Sequence, residues 1–395
     1  MPESQSNHFA AALSTIPNSL PALEDVCTRA LDQLGGRPDL ALLFVSGDHV
    51  AAAEQLAAEA SKRLGTENLI GCSGESIVGE AQEIERNPSI SLWLARLPNV
   101  NVRLMHLLLE RTSDGASIVG WHESLEQQWP DSATMLALGD PFSFPADVML
   151  QRLNDDRPGL QVVGGMASTA AAPGENRLFF GPKAETQGAV AAILDGAVRI
   201  KTVVSQGCRP IGTHLVVTKS EGNVIYELGG KPALLQLKAI FDTLPTSEQR
   251  LVETGLHLGR VVNEYQDQFE QGDFLVRNVM GIDPNDGSVA VGDFFRPGQT
   301  VQFHVRDQGS ADSEMRSMLA QVRDDSEAKP SGGLLFTCNG RGTRLFPEPH
   351  HDAGLINETL GAIPVSGFFA AGELGPIGGK NFMHGFTASV VLFEA

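Results

Sequence analysis

Three of the four cysteines in this sequence lie in glycine-containing segments that follow short apolar runs. Cys72 lies within residues 71–75, Cys208 follows Gly207, and Cys338 precedes residues 339–342. Because glycine has no Cβ, the backbone of such a segment can approach a ligand closely and present N–H groups to an anion or a carbonyl oxygen. The pattern favours a polar binding site, and buried thiols at tight corners are the alternative.

Charged residues accompany the same segments. Arg341 stands between two glycines and Arg209 follows Cys208, and a guanidinium in such a loop is suited to holding a carboxylate or a phosphate. Glu75 and Glu373 each follow a glycine, where a carboxylate would accept hydrogen bonds from an ammonium or a hydroxyl group. The alternatives are an arginine that binds loop carbonyls and a glutamate that caps a surface turn.

Residues 71–75 are echoed near the other end of the chain by residues 367–373. Both segments read as a strand, a glycine, a short spacer and Gly-Glu, which predicts equivalent loops at the ends of two strands. Asn381 and His384, just before the last strand, would complete a polar pocket. The candidate ligand-binding residues are Cys72, Ser73, Glu75, Cys208, Arg209, Cys338, Asn339, Arg341, Glu373, Asn381 and His384.

The sequence contains none of the common enzyme motifs for nucleotide-dependent, serine-hydrolase or zinc-protease chemistry. Residues 350–352, His-His-Asp, are interpreted as a solvated turn because no further ligand follows at helical spacing. We therefore predict no catalytic residue, no metal ligand and no cofactor. A thiol-dependent enzyme that uses Cys338 or Cys72, with His384 as its partner, stays open as an alternative.

The elements that must position these residues alternate between helices and strands. An apolar strand at 40–45, a helix at 48–64 and a strand at 68–70 form a strand–helix–strand unit, while residues 1–19 read as irregular. Residues 89–96 and 101–109 resemble a hairpin, and residues 177–218 carry successive β runs. The sequence predicts a mixed α/β (α+β) fold of two tightly packed domains, with largely antiparallel or mixed sheets flanked by helices.

Composition excludes several classes of protein. The chain has 395 residues, and 48 acidic against 29 basic residues leave a net charge of -19, which argues against nucleic acid or an anionic membrane as partner. No run of apolar residues is long enough for a membrane-spanning helix, and the N-terminus does not read as a secretory signal. We expect an acidic cytoplasmic protein. Its 42 glycines are in excess and point to tight turns.

Three segments resemble a known family. Residues 205–212, residues 338–342, and residues 367–376 followed by Asn381 and His384 are similar to the C-terminal FIST domain, and residues 70–75 are similar to its N-terminal counterpart. In that family a small residue usually separates Gly-Cys-Ser-Thr from Gly-Glu, whereas Gly74-Glu75 follows Ser73 directly.

The resemblance implies an N-terminal extension and first helix at 1–35, a FIST N-like domain at 36–204 and a FIST C-like domain at 205–395. It also implies a sensory module of signal transduction that binds a small polar ligand, an amino acid being one candidate, and passes its signal to a separate protein. The family has no established catalytic activity. A scaffold that binds another protein without any small ligand is a further alternative.

Overall fold

The computed structural model describes residues 6–113, 115–130, 132–266, 268–269, 272–326 and 328–394. Contacts between Cα atoms divide the chain into two compact units. Unit 1 comprises Met1–Val204, Arg316–Met383 and Thr387–Ala395, and unit 2 comprises Ser205–Met315 and His384–Phe386. Unit 1 therefore contains segments from both consecutive domains that the sequence predicts, and the predicted boundary at 204/205 stays a prediction.

Helices and strands alternate as the mixed α/β (α+β) prediction requires, and that prediction is confirmed. The α-helices are α1 (Ser19–Leu34), α2 (Ala53–Leu64), α3 (Glu123–Gln127), α4 (Ala146–Asp156), α5 (Ala233–Thr243), α6 (Thr246–Thr254), α7 (Gln308–Asp325) and α8 (His351–Leu360). Short 3-10 turns at Gly47–Ala52 and Gly342–Arg344 precede α2 and α8. Gly35 and Gly65 end α1 and α2 in the left-handed conformation, as their position after an apolar helix suggests.

Unit 1 contains three mixed sheets. Sheet 1 has, in spatial order, β1 (His8–Ser14), β6 (Ile90–Arg96), β2 (Leu40–Ser46), β3 (Leu69–Gly74), β11 (Leu178–Phe180) and β12 (Lys183–Glu185). Sheet 2 has β8 (Gly115–Val119), β7 (Val100–Thr112), β13 (Ala189–Gly196), β9 (Thr134–Gly139), β10 (Gln161–Met166), β24 (Glu373–Ile377) and β25 (Lys380–His384). Sheet 3 has β14 (Arg199–Gln206), β26 (Thr387–Glu394), β22 (Pro330–Cys338), β23 (Val365–Ala370), β4 (Ser76–Gly79) and β5 (Gln82–Glu85).

The three sheets repeat one strand pattern. Each holds a parallel pair joined by a helix: β2–β3 around α2, β9–β10 around α4, and β22–β23 around α8. In each pair a glycine of the second strand faces a residue of the first, so Gly71 faces Leu43, Gly164 faces Ala137 and Gly367 faces Leu335. The three sheets thus define three repeats, namely residues 8–96, residues 100–196, and residues 199–206 with 308–394, and most of these residues belong to unit 1.

Each repeat contributes a hairpin to the sheet of another repeat. The hairpin β4–β5 of the first repeat adds to sheet 3, β11–β12 of the second adds to sheet 1, and β24–β25 of the third adds to sheet 2. The inner faces of all three sheets share one apolar core that includes Phe44, Trp93, Leu138, Phe336 and Phe368. Helices α1 and α2 cover the outer face of sheet 1, and α3 and α4 cover that of sheet 2.

Unit 2 interrupts the third repeat between β14 and α7. Its antiparallel strands are β15 (Cys208–Glu221), β16 (Val224–Leu228), β17 (Lys231–Pro232), β18 (Leu256–Val261), β19 (Phe274–Ile282), β20 (Val289–Val291) and β21 (Thr300–Arg306). Each strand pairs with the next in the spatial order β15, β21, β18, β19, β20, β16. The last of these, β16, also pairs with β15, which closes the sheet into a ring. The inside of the ring is apolar, with Val301, Phe303 and Val305 of β21 among its residues.

Two local predictions are wrong. Residues 8–14 are not irregular, because β1 pairs along its whole length with β6 and buries almost every side chain. The predicted hairpin of residues 89–96 and 101–109 does not form either, since β6 lies in sheet 1 and β7 in sheet 2. Among the described residues no helix has the length and hydropathy needed to cross a membrane.

Candidate functional site

A buried ion pair lies where β22 ends in unit 1. The side chain of Arg341 is completely buried, and its Nε and Nη2 donate to the two carboxylate oxygens of Asp352, each at 2.7 Å. Thr337 Oγ1 and His351 Nδ1 also bond to this carboxylate, at 2.7 Å and 2.9 Å. Burial opposes ionisation of Asp352, yet the adjacent guanidinium outweighs it and holds the pKa of this carboxyl well below its ordinary value.

Glu83 of β5 is a second buried acid beside this pair. Its Oε1 accepts a hydrogen bond from the Ala353 N–H at 2.9 Å, whereas its Oε2 has no partner among the described residues. Burial, reinforced by the negative charge of Asp352, raises the pKa of Glu83 to about 8. At neutral pH this carboxyl is therefore mostly protonated, and Arg341 is balanced by Asp352 alone.

Glu373, the first residue of β24, is a third buried acid of the same cluster. Its Oε2 accepts from the hydroxyl and the N–H of Thr387, at 2.8 Å and 3.2 Å. The carboxyl also lies within hydrogen-bonding range of the Cys338 thiol and close to Arg341, while burial raises its pKa to about 8. Cys338 is the last residue of β22 and is partly exposed.

The loop after β22 brings further predicted residues together. Arg344 bonds to both carboxylate oxygens of Glu75, one of them at 3.1 Å from Nη1, and it donates to the Asn339 carbonyl at 2.6 Å. Arg344 and Arg341 both interact electrostatically with Cys338. The structure thus gathers Glu75, Cys338, Asn339, Arg341 and Glu373 around residues 338–344.

An open cavity of about 360 Å³ adjoins the cluster on the Glu83 side. Its wall includes an exposed cation, Arg86, and a second carboxylate, Glu85, which accepts hydrogen bonds from the N–H and hydroxyl of Thr343 at 2.8 Å and 2.7 Å. His350 forms another part of the wall, and its Nδ1 lies 2.9 Å from the Glu83 N–H. The residues around this cavity are Glu83, Ile84, Glu85, Arg86, Asn87, Thr343, Pro349 and His350.

Cys72 and Ser73 of unit 1 belong to other environments. Cys72 is completely buried in the central core, where burial raises the pKa of its thiol well above the ordinary value. Ser73 Oγ accepts from Thr169 Oγ1 at 2.5 Å and from the Arg177 N–H at 3.0 Å. These bonds tie the end of β3 to the loop after β10, so Ser73 supports the chain at that point.

Three further predicted residues also have partners of their own. Arg209, in unit 2, pairs with Asp307 at 3.0 Å and with Glu248 at 3.3 Å. Asn381 accepts from the Val162 N–H at 2.8 Å and donates to the Leu160 carbonyl at 2.7 Å, which fastens β25 to the start of β10. His384 is buried and belongs to the 384–386 segment of unit 2.

Cys208 is buried in unit 2 against Val261, Phe274 and Val276. Three of the four thiols are thus core residues, since Cys27 is buried in α1 and burial raises the pKa of its thiol to about 12. Cys338 alone among the four cysteines is partly exposed.

Two expectations about this region are corrected. Arg341 is not exposed on its loop, because Asp352 already supplies the carboxylate that its guanidinium binds. Residues 350–352 are not a solvated turn, since Asp352 is buried, His351 stacks on Phe346 and α8 begins there. Within the ranges that the structure describes, no group of three or more His, Cys, Asp or Glu side chains is arranged to hold a metal ion.

Sequence reasoning missed Glu83, Arg86, Arg344 and Asp352. Glu83 and Arg86 stand in Gln-Glu-Ile-Glu-Arg, a charged stretch typical of a surface turn, and nothing local shows that its hairpin joins a strand near the other end of the chain. The sequence feature that could have pointed to Asp352 is its position in a His-His-Asp run after Pro349. Arg344 lies three residues beyond Arg341, just past the 338–342 segment that the sequence pattern singles out.

Comparison with known proteins covers nearly the whole chain. A model of the FIST N domain matches residues 39–231, and a model of the FIST C domain matches residues 233–376. An uncharacterized protein of Mycobacterium tuberculosis, Rv0628c, is 42% identical over 386 residues, which are 98% of this chain and 99% of that protein. The uncharacterized protein Mb0898c of Mycobacterium bovis is 40% identical over 386 residues, 98% of either chain.

Proposed function

The chain belongs to the family of proteins with FIST N and FIST C domains, and from this premise we propose that it is a sensory module which binds a small polar ligand beside Glu83. FIST domains are associated with sensory modules of signal transduction. The observation that carries the proposal is the buried Oε2 of Glu83, which has no hydrogen-bond partner among the described residues although Glu83 lines an open cavity.

An ammonium group is the ligand chemistry that best fits Glu83. A buried carboxyl with a raised pKa and a vacant oxygen gains most from a cation, because the cation both satisfies the oxygen and stabilises the ionised form. Glu85 adds a carboxylate to the same cavity. Binding of an amine would therefore release the proton that Glu83 holds at neutral pH.

Arg86 gives the cavity a complementary anion-binding group. Its guanidinium is exposed, and a carboxylate on the ligand would find two parallel N–H donors there. A volume of about 360 Å³ lies at the lower end of the range of ligand sites, roughly 300–1,000 Å³, which suits a small molecule. A ligand with one amino and one carboxylate group, such as an amino acid, matches both charges.

The proposed ligand lies next to the glycine-rich loop that the sequence singles out. Its contacts are Glu83 and Arg86, not Arg341 and Glu373 as the sequence predicts. Thr343 connects the cavity to the loop, because it lines the cavity and belongs to residues 338–344, which also contain Cys338 and Arg341. We propose further that the bound state is communicated to a separate signalling protein, and that both act in the cytoplasm.

The test is a thermal-shift screen of the full chain against the common amino acids and their decarboxylated amines. A ligand present at 100 times its Kd should stabilise the protein by about 2.7 kcal/mol. Glu83→Gln should abolish the shift and Arg86→Ala should weaken it for amino acids but not for simple amines. Glu358→Gln, which changes an exposed carboxylate elsewhere on unit 1, is the matched control.

Calorimetry provides a measurement that needs no variant. Titrations in buffers of different ionisation enthalpy should reveal a proton released to the buffer on binding at pH 7. The proposal is wrong if no compound of either class shifts the melting temperature, or if a shift occurs without proton release and survives in Glu83→Gln.

A further inference from the structure

The Cys338 thiol differs from the other three in its surroundings. The Gly340 N–H donates to its sulfur at 3.4 Å, and the guanidinium groups of Arg341 and Arg344 both lie near it. A backbone N–H and two cations stabilise a thiolate, which is the reactive form of cysteine. Residue Cys338 is also partly exposed, whereas the other three cysteines are buried.

The carboxyl of Glu373 beside the Cys338 thiol is a second, independent observation. It is fully buried, its Oε1 has no N–H or O–H partner among the described residues, and the carboxyl lies in hydrogen-bonding range of the Cys338 thiol. Thr387 holds the other oxygen through two bonds and fixes the direction of the carboxyl. A carboxyl so placed can take the proton of the thiol and later return it.

We propose that Cys338 and Glu373 form a thiol–carboxyl pair that is oxidised by small hydroperoxides. The reactant must be small and uncharged because Cys338 is only partly exposed and its partner Glu373 is fully buried. The oxygen that leaves the reactant must receive a proton, and Glu373 donates it. The negative charge that develops on this oxygen is stabilised by the nearby Arg341 and Arg344. A hydroperoxide meets each of these requirements.

In the reactive state the pair holds one proton, which is on Glu373, and the Cys338 sulfur carries the negative charge. The sulfur attacks the terminal oxygen of the hydroperoxide, a sulfur–oxygen bond forms and the oxygen–oxygen bond breaks. The sulfur loses two electrons to become a sulfenic acid, and the peroxide gains them. The departing oxygen takes the proton from Glu373 and leaves as water or an alcohol, so Glu373 ends as a carboxylate.

The product should persist as a sulfenic acid, because Cys27, Cys72 and Cys208 are all buried in cores and cannot form a disulfide with the oxidised Cys338. This pair is separate from the cavity beside Glu83. Oxidation of Cys338 can therefore occur whether or not an amine binds there.

The test treats the full-length protein with hydrogen peroxide, traps sulfenic acid with dimedone and quantifies each cysteine by mass spectrometry. Cys338 should be labelled at least about 100-fold faster than Cys27, Cys72 and Cys208, since accessibility and thiolate character decide the rate. This comparison is made within the wild-type protein. Equal and slow labelling of all four cysteines would overturn the proposal.

Variants of Glu373 separate proton transfer from structural support. Glu373→Gln keeps the shape of the side chain but can neither take the proton of the thiol nor give one to the departing oxygen, and it should slow the oxidation of Cys338 by about 100-fold, the usual contribution of a general acid–base group. Glu373→Asp should recover part of that rate. Glu358→Gln is the control and should leave the rate unchanged. An unaltered rate in a folded Glu373→Gln protein would contradict the role of Glu373.

Discussion

At the residue scale, Arg341 depends on one carboxylate for its burial. Its side chain and that of Asp352 are 0% and 1% exposed, and two hydrogen bonds of 2.7 Å join them. Taking either charge out of water has a large cost, and the partner offsets it only while both are present. The two acids nearest the pair, Glu83 and Glu373, remain compatible with it because their raised pKa values keep them mostly protonated.

Removal of Arg341 should therefore destabilise unit 1 strongly. We expect Arg341→Ala to lower the free energy of unfolding by about 3–5 kcal/mol, because the Asp352 carboxylate is left buried without its cation. Denaturant unfolding followed by circular dichroism measures this change. Arg316→Ala, which breaks an ion pair with Glu358 whose side chains are 47% and 66% exposed, should cost at most about 1 kcal/mol. Equal losses for the two variants would contradict this account.

The residue types around this pair were informative in the sequence, but their partners were not. Arg341 was recognisable from the glycines beside it, and Cys338 and Glu373 from their places at strand ends. The acids that surround Arg341 come from elsewhere: Asp352 lies in helix α8, and Glu83 lies in β5 of the first repeat. Which carboxylate meets which guanidinium depends on sheet pairing across hundreds of residues, and local spacing carries no information about it.

At the element scale, the parallel pair of each repeat requires a glycine. A Cβ placed on Gly71, Gly164 or Gly367 would lie 1.9, 1.9 or 1.8 Å from the carbonyl oxygen of the residue it faces on the neighbouring strand. No side chain fits at such a distance without moving backbone atoms. The glycine therefore allows the second strand to approach the first closely at the same step of all three repeats.

Alanine at any of these three positions should weaken the fold. Each of Gly71→Ala, Gly164→Ala and Gly367→Ala should lower the unfolding free energy by at least about 2 kcal/mol, since backbone shifts in a packed core are required. Gly354→Ala, in the interior of α8 with nothing within 4 Å of the added Cβ, should raise it by about 0.5–1 kcal/mol. Thermal unfolding of the four variants in parallel is the measurement. Loss at only one of the three core positions would argue against an equivalent role.

Sequence reasoning recognised two of these three elements. The likeness of residues 71–75 to residues 367–373 predicted equivalent loops at strand ends, and both segments do belong to the second strand of a parallel pair, although Gly71 and Gly367 lie within β3 and β23 and not after them. The middle copy has Gly164-Gly165-Met166 and no following Gly-Glu, so only its place in a parallel pair reveals it. Strand 40–45 and the greater part of helix 48–64 were predictable from composition and periodicity, although α2 itself begins at Ala53 after a 3-10 turn. Strand partners, as for residues 89–96, were not predictable in this way.

At the scale of the whole molecule, the buried groups with the largest pKa shifts towards neutral pH in unit 1 and away from it in unit 2 are of opposite kind, although unit 1 also holds His49, whose pKa burial lowers by a smaller amount. Unit 1 holds Glu83 and Glu373, whose pKa values are raised by burial to about 8. Unit 2 holds His257 and His304, which face each other on β18 and β21 and whose pKa values are lowered by burial to about 4. The folded form of unit 1 thus retains protons that the unfolded chain loses, and unit 2 excludes protons that the unfolded chain binds.

The stability of the two units should therefore depend on pH in opposite directions. For the glutamates, unfolded pKa values near 4.5 and folded values of about 8 mean that stability falls as pH rises through that interval. For the histidines, unfolded values near 6.5 and folded values of about 4 mean that stability falls as pH drops through that interval. Hydrogen exchange resolved by peptide at pH 5, 6.5 and 8 measures both. Slopes of the same sign in the two units would contradict the assignment.

The exchange of hairpins among the repeats has a consequence for synthesis on the ribosome. Sheet 1 cannot be completed until β11 and β12 of the second repeat have been translated, and sheet 3, whose other strands come from the third repeat, requires β4 and β5 from the first. The first repeat must therefore keep its hairpin available, with Glu83 on it, until the strands of the third repeat have been synthesised. A nascent chain halted after the first or second repeat would expose open strand edges that bind chaperones or each other. Completion of unit 1 is in this sense a single late event, and the cluster around Arg341 exists only once the strands of the third repeat have joined those of the first.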